Sequence, residues 1–146
     1  MLIDWEIASV DFRIEGLLMA PPYAIPRLLQ RNSLNHADIH LWEIHEAFAA
    51  QVLAHIKALE SPEFIRDKAR VTASFGAFPR DRMNPNGGSV ALGHPLAQRT
   101  RDILSQAQLS TMPSGERTIV SICADGGQET GALIDMTGAP VASTRS

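Results

Sequence analysis

A chain of 146 residues with 45% hydrophobic and 20% charged residues has the length and composition of one soluble globular domain with its own core. Its formal net charge of -3 and pI near 5.9 weigh against nucleic acid or an anionic membrane as the main partner. The single cysteine, Cys123, excludes an internal disulfide, and Asp4 and Glu6 stand where a signal peptide would be basic and then apolar, so a cytoplasmic setting is the expectation.

The opening LIDWEIASVDF mixes apolar and β-branched residues and predicts a strand over residues 2–12. Gly16, Pro21 and Pro22 then read as breakers. From Tyr23 onward Ala24, Ile25, Leu28 and Leu29 fall on one helical face, and Asn32 is placed to end that helix in the left-handed conformation. Residues 39–44 (IHLWEI) carry apolar side chains on both faces, as an inner strand covered on both sides does. EAFAAQVLAHIKALE follows with a helical stripe of Phe48, Val52, Ile56 and Leu59. Strand, turn and helix make an α/β unit, and its ligand-collecting carboxyl end holds His45 and Glu46.

Ser61-Pro62-Glu63 is a helix start, predicting a short helix to about residue 70 and then an irregular crossing to Met83. Residues 84–95 (NPNGGSVALGHP) combine a glycine pair, a small-residue segment fit for one or two helical turns, and a Gly-His-Pro step. A helix is predicted over residues 96–109, a strand over 118–123 (TIVSIC), a loop over ADGGQETG and a last strand over 132–136. The small polar residues 137–146 read as a flexible tail. Helices between strands imply an α/β fold with a mixed, mostly parallel sheet covered by helices, the last two strands able to lie antiparallel.

Three turns carry reactive side chains. Proline after His94 suits the first position of a helix, and the positive end of the helix dipole there favours a neutral imidazole able to take a proton. A structural histidine in a turn is the alternative. Cys123 ends a strand and opens a Gly-rich loop whose backbone N–H groups can form an anion nest, with a small buried hydrophobe as its alternative. His45 is either a third reactive group or a satisfied histidine in a strand-to-helix turn. His36, His40 and His45 lack an accompanying ligand signature, so no metal is expected.

HEAFAAQ at 45–51, NPNGGSVALGHP at 84–95 and CADGGQ at 123–128 occur in the order and approximate spacing of the C-terminal half of thiolases. The chain resembles most the degradative and trifunctional-type branch, in which HEAF replaces NEAF. The resemblance implies a thiolase-half fold over residues 1–136. It further implies an acyl-CoA acyltransferase of β-oxidation that cleaves 3-ketoacyl-CoA with CoA to acetyl-CoA and a shortened acyl-CoA, with CoA thioesters as substrates and no separate cofactor. On the same ground His94 would activate a nucleophilic cysteine and contribute to an oxyanion site, and Cys123 would exchange a proton with the acetyl carbon. His45 would help hold the thioester oxygen with Glu46 beside it, and the backbone at Asp125 and Gly126 would line a second oxyanion site.

The family's nucleophile is a second cysteine on an N-terminal half of similar fold, and this sequence contains no second cysteine. A separate N-terminal half is therefore the expected partner, in a homo- or hetero-oligomer, with exposed apolar surface where that half sits. After Gly-His-Pro the family's small residues give way to Leu96, Ala97, Gln98, Arg99, Thr100 and Arg101. Asp125 stands where the family has Gly or Ala, and Glu129 and Thr130 replace small residues after Gly-Gly-Gln. Two readings stand: a catalytic half completed by a partner, or a truncated or degenerate thiolase-like domain with a binding or assembly role only. A Cys-His hydrolase using Cys123 and His94 is a third.

Overall fold

The structure, a computed structural model, describes residues 1–93 and 115–135. The first strand, β1, is Leu2–Ser9. A single helical turn, α1 (Phe12–Glu15), follows, capped by the Asp11 carboxylate accepting from the backbone N–H of Arg13. Helix α2 is Pro21–Arg31. Pro21 and Pro22, expected as breakers, instead occupy its first two positions, where a missing N–H leaves no helical bond unmade. The expected inner face is buried, with Ala24, Ile25, Leu28 and Leu29 all at 0% exposure. Asn32 is not left-handed: Ser33 takes that conformation (φ 55), while the Asn32 side-chain amide closes the helix end by donating to Leu28 O at 2.8 Å.

Strand β2 (Leu41–Ile44) is buried along its whole length, and α3 (Ala49–Leu59) packs behind it. Phe48, expected in the buried stripe of α3, precedes the helix and is 62% exposed; Val52, Ile56 and Leu59 are buried as read. Ser61 Oγ accepts from Phe64 N at 3.2 Å, yet the turn that follows, Phe64–Lys68, is π-helical. A short helix, α4 (Ser89–Leu92), stands in the glycine-pair segment, and β3 (Arg117–Ala124) and β4 (Gln128–Asp135) form a hairpin.

The sheet runs β1-β4-β3-β2. It is mixed as expected: β1, β2 and β3 run the same way, while β4, inserted between β1 and β3, is antiparallel to both, so β2–β3 is the parallel pair among the described strands. β4 begins inside the ADGGQETG segment, which was expected to be a loop. Only residues 125–127 form the turn, and Gln128, Glu129, Thr130 and Gly131 already pair with Ala124, Cys123, Ile122 and Ser121. The turn needs glycine at Gly127, where φ is 78 and a Cβ would lie 2.5 Å from the carbonyl oxygen of Val10 at the end of β1.

One face of the sheet carries Trp42, Ile44, Ile119 and Leu133 under the apolar sides of α2 and α3. Each such side chain contributes about 1.5–3 kcal/mol when buried. Val71, Phe75 and Phe78 of the crossing segment complete this core. β1 alternates in the reverse sense. Asp4 and Glu6 turn inward to Arg31 of α2, whose guanidinium donates to them at 2.8 and 2.6 Å, while Ile3, Trp5 and Ile7 are 39, 55 and 53% exposed. The helix predicted over 96–109 and the tail from residue 137 lie outside the described residues.

Candidate active site

The parallel register places Ile44 beside Ser121, and the next amide, His45 N–H, donates to Ser121 O at 2.9 Å. The chain leaving β2 therefore runs along the last residues of β3, and His45 meets Cys123. Nδ1 of His45 lies 3.3 Å from Cys123 Sγ and 3.2 Å from the Cys123 carbonyl oxygen. A carbonyl only accepts, so this contact places the ring hydrogen on Nδ1 and the sulfur shares that donor. Both residues are buried, at 7 and 4% exposure. Burial pushes the Cys123 thiol up to about 11, the charge of Glu129 adding to the effect and the backbone at Cys123 and Ala47 opposing it. At neutral pH the sulfur is a proton donor, not a standing thiolate nucleophile.

Gln51, on the first turn of α3, fixes the turn that carries His45. Its Oε1 accepts from Phe48 N at 3.3 Å, and its Nε2 faces His45 O at 3.4 Å and His55 Nδ1 at 2.9 Å. His55 in turn reaches Leu18 O at 2.7 Å, and burial lowers its pKa to about 4. Neutral His55 thus ties α3 to the turn before α2.

Asn84 joins the first and second motifs, a role sequence reasoning missed. Its Oδ1 accepts from Ile44 N at 2.8 Å, and its Nδ2 donates to Ile44 O at 2.9 Å and to Glu46 Oε1 at 2.6 Å. The other oxygen of Glu46 accepts from Val90 N at 3.0 Å, inside α4. Glu46, expected beside substrate, therefore engages both carboxylate oxygens with protein and braces the segment that leads to His94. The available signal was the turn-forming run Asn84-Pro85-Asn86-Gly87-Gly88, in which Asn84 takes a positive φ of 45. His94 itself lies outside the described residues.

Asp125 and Gly126, expected at an oxyanion site, stand at the exposed tip of the β3–β4 hairpin. The Gly126 N–H donates to the Asp125 carboxylate at 2.8 Å, so that donor is already engaged. The histidine series does not converge: His36 Nδ1 contacts Gly76 O, His40 Nδ1 accepts from Arg117 N, and His45 faces Cys123. Among the described residues no cluster of three or more metal-ligating side chains forms.

Residues 1–136 match the family described as thiolase, C-terminal domain. A probable 3-ketoacyl-CoA thiolase of Caenorhabditis elegans is 38% identical over 125 residues, which are 85% of this chain and 28% of the relative. The mitochondrial trifunctional enzyme subunit beta of Bos taurus is 36% identical over 135 residues, 92% of this chain and 28% of that protein. Among solved structures, a thiolase from Ascaris suum in complex with coenzyme A superposes with TM-score 0.70 at 30% identity, covering 92% of this chain and 30% of that one. The peroxisomal 3-ketoacyl-CoA thiolase of Saccharomyces cerevisiae, a five-layered structure of two core domains of identical topology, gives 0.67 at 31% identity, covering 90% of this chain and 33% of that one. The chain thus spans about a third or less of the length of the relatives it matches.

Proposed function

The chain belongs to the thiolase family as a C-terminal thiolase domain, and from that premise we propose that it supplies the acid/base half of a 3-ketoacyl-CoA-cleaving acyltransferase. In this reading Cys123 gives a proton to the acetyl carbanion released when the carbon–carbon bond breaks, and takes it back in the reverse direction. His45 orients the sulfur and offers its N–H to developing negative charge, and His94 serves the nucleophilic cysteine. That cysteine comes from a separate N-terminal half, which forms the acyl-enzyme and passes the acyl group to CoA.

The observation that carries this reading is the 3.3 Å contact between His45 Nδ1 and Cys123 Sγ, which joins the first and third motifs in one buried corner. The exposed apolar row Ile3, Trp5 and Ile7 on β1 supports a second, covering half, as does the two-domain construction of the yeast relative. The Asp125 carboxylate, which occupies the Gly126 N–H, favours the second reading of a thiolase-like domain that binds or assembles without turnover.

Thiolysis of a 3-ketoacyl-CoA separates the two readings. The purified chain alone is expected to show no turnover, and addition of a thiolase N-terminal half is expected to produce acetyl-CoA, abolished by Cys123→Ala in the chain. Binding of CoA thioester with no turnover in the mixture would establish the non-catalytic reading instead.

A further inference from the structure

Glu129 is a buried carboxyl that the chemistry above leaves unused. It is the direct partner of Cys123 across the β3–β4 hairpin, so the two side chains are neighbours on one face of the sheet. Glu129 is 1% exposed. Its Oε1 accepts from Ser121 Oγ at 2.6 Å, and its Oε2 has no hydrogen-bond partner among the described residues. On its other side the β1 partner is Ala8, which offers no side-chain donor. A carboxylate here lacks the donors that would hold its charge.

We propose that Glu129 is a positioning residue for the proton on Cys123: thiol and carboxyl share a buried corner that accommodates at most one negative charge, and when the corner ionises the carboxyl gives up its proton first, leaving the sulfur protonated. The proposal deepens the acid/base role given to Cys123 and rests on that reading for its bearing on catalysis.

The groups packed around this corner agree with it. Glu6 of β1 adds negative charge but is held by Arg31 of α2, which also holds Asp4. Tyr23 of α2 lies in the apolar cluster with Ala8 and Ala24. His45, on the far side of Cys123, gives its Nδ1 hydrogen to the Cys123 carbonyl, and His55 and Gln51 stand behind it. None of these forms an ion pair with Glu129 among the described residues. Burial pushes the Glu129 carboxyl up to about 8, with the Ser121 hydrogen bond opposing and Glu6 adding. As pH rises the first proton leaves Glu129, and its charge then raises the Cys123 thiol further. When a carbanion takes the thiol proton, the S–H bond breaks, a C–H bond forms and the electron pair stays on sulfur. A thiolate in that corner is high in energy, which makes it a strong base for the reverse step.

The test is titration of the whole chain, whose one cysteine makes the thiolate ultraviolet absorbance specific once a Cys123→Ser blank is subtracted. Glu129→Gln, isosteric and able to keep the Ser121 contact, is expected to lower the thiolate midpoint by about one pH unit or more, while Glu129→Asp stays nearer wild type. An unchanged midpoint in folded Glu129→Gln overturns the proposal. Should that variant not fold, carbon NMR of the wild-type chain decides: Glu129 Cδ is expected to titrate well above the ordinary glutamate value of about 4.3 and before the Cys123 Cβ signal. Titration of Glu129 in the ordinary range, or after the thiol, overturns it equally. Thiolysis with the N-terminal half reports separately on the acid/base role, so failure there with the expected titration sinks that role and leaves the charge order standing.

Discussion

Gly88 and Glu46 occupy each other's space. A Cβ on Gly88 would lie 2.3 Å from the carboxyl carbon of Glu46 and 2.4 and 2.7 Å from its oxygens. Alanine there must push the carboxylate off Asn84 Nδ2 and Val90 N. Hydrogen bonds to a charged group are worth about 1.5–3 kcal/mol each, and Glu46 is only half-buried, so Gly88→Ala is expected to lower stability by about 2–4 kcal/mol in urea unfolding. Because one carboxylate mediates the loss, Glu46→Ala and Gly88→Ala should be strongly non-additive in a double-mutant cycle. Additive losses would show that the glycine serves only its own backbone. The glycine pair was legible in the sequence as turn chemistry. That Gly88 is the seat of a distant carboxylate was not, because only tertiary pairing of β2 with the following segment brings Glu46 there.

At the scale of elements, what was readable depended on whether the signal was local. The buried face of α2 followed from its 3.6-residue period, and β3 from its β-branched run, since both patterns are set by the element's own neighbours. The start of β4 was hidden because Gln128, Glu129 and Thr130 are polar, and their pairing depends on β3 and β1 flanking them. β2 shows the same dependence. It has four residues and, among the described strands, one partner, and on its other side Asn84 acts as a surrogate ladder by binding both backbone groups of Ile44, with Asn84 N–H reaching Trp42 O at 2.9 Å. Asn84→Ala leaves Ile44 N–H and C=O buried without those partners and is expected to cost about 2–4 kcal/mol and to speed amide exchange at Ile44. Asn84→Asp should be worse, since an acceptor would replace the donor facing Ile44 O and the Glu46 carboxylate. Equal or smaller loss for the aspartate would refute this assignment of the side-chain amide.

For the whole molecule, buried titratable groups set a stability profile that the net charge does not reveal. Burial raises Glu129 from 4.5 to about 8 and, with the charge of Glu46 adding, Glu43 from 4.5 to about 7. The folded chain keeps these protons while the unfolded chain loses them above about pH 4.5, so their contribution is complete below that pH and lost as pH rises through 7 and 8. Burial lowers His55 from 6.5 to about 4 and moves His36, enclosed by Trp42, Phe75 and Phe78, in the same direction. The contribution of His55 is complete above about pH 6.5 and lost as pH falls through 4, and that of His36 is likewise lost on acidification. Between about pH 4.5 and 6.5 the two trends oppose, giving a plateau; from there to about pH 8 the carboxyl losses act, each at most about 1.4 kcal/mol per pH unit. The urea midpoint is therefore expected to be nearly level across that plateau and to fall between about pH 6.5 and 8. Glu129→Gln should remove the upper part of the fall and leave the smaller part due to Glu43. A midpoint that holds steady or rises from pH 6.5 to 8 in the wild-type chain would mean that neither carboxyl keeps its proton on folding.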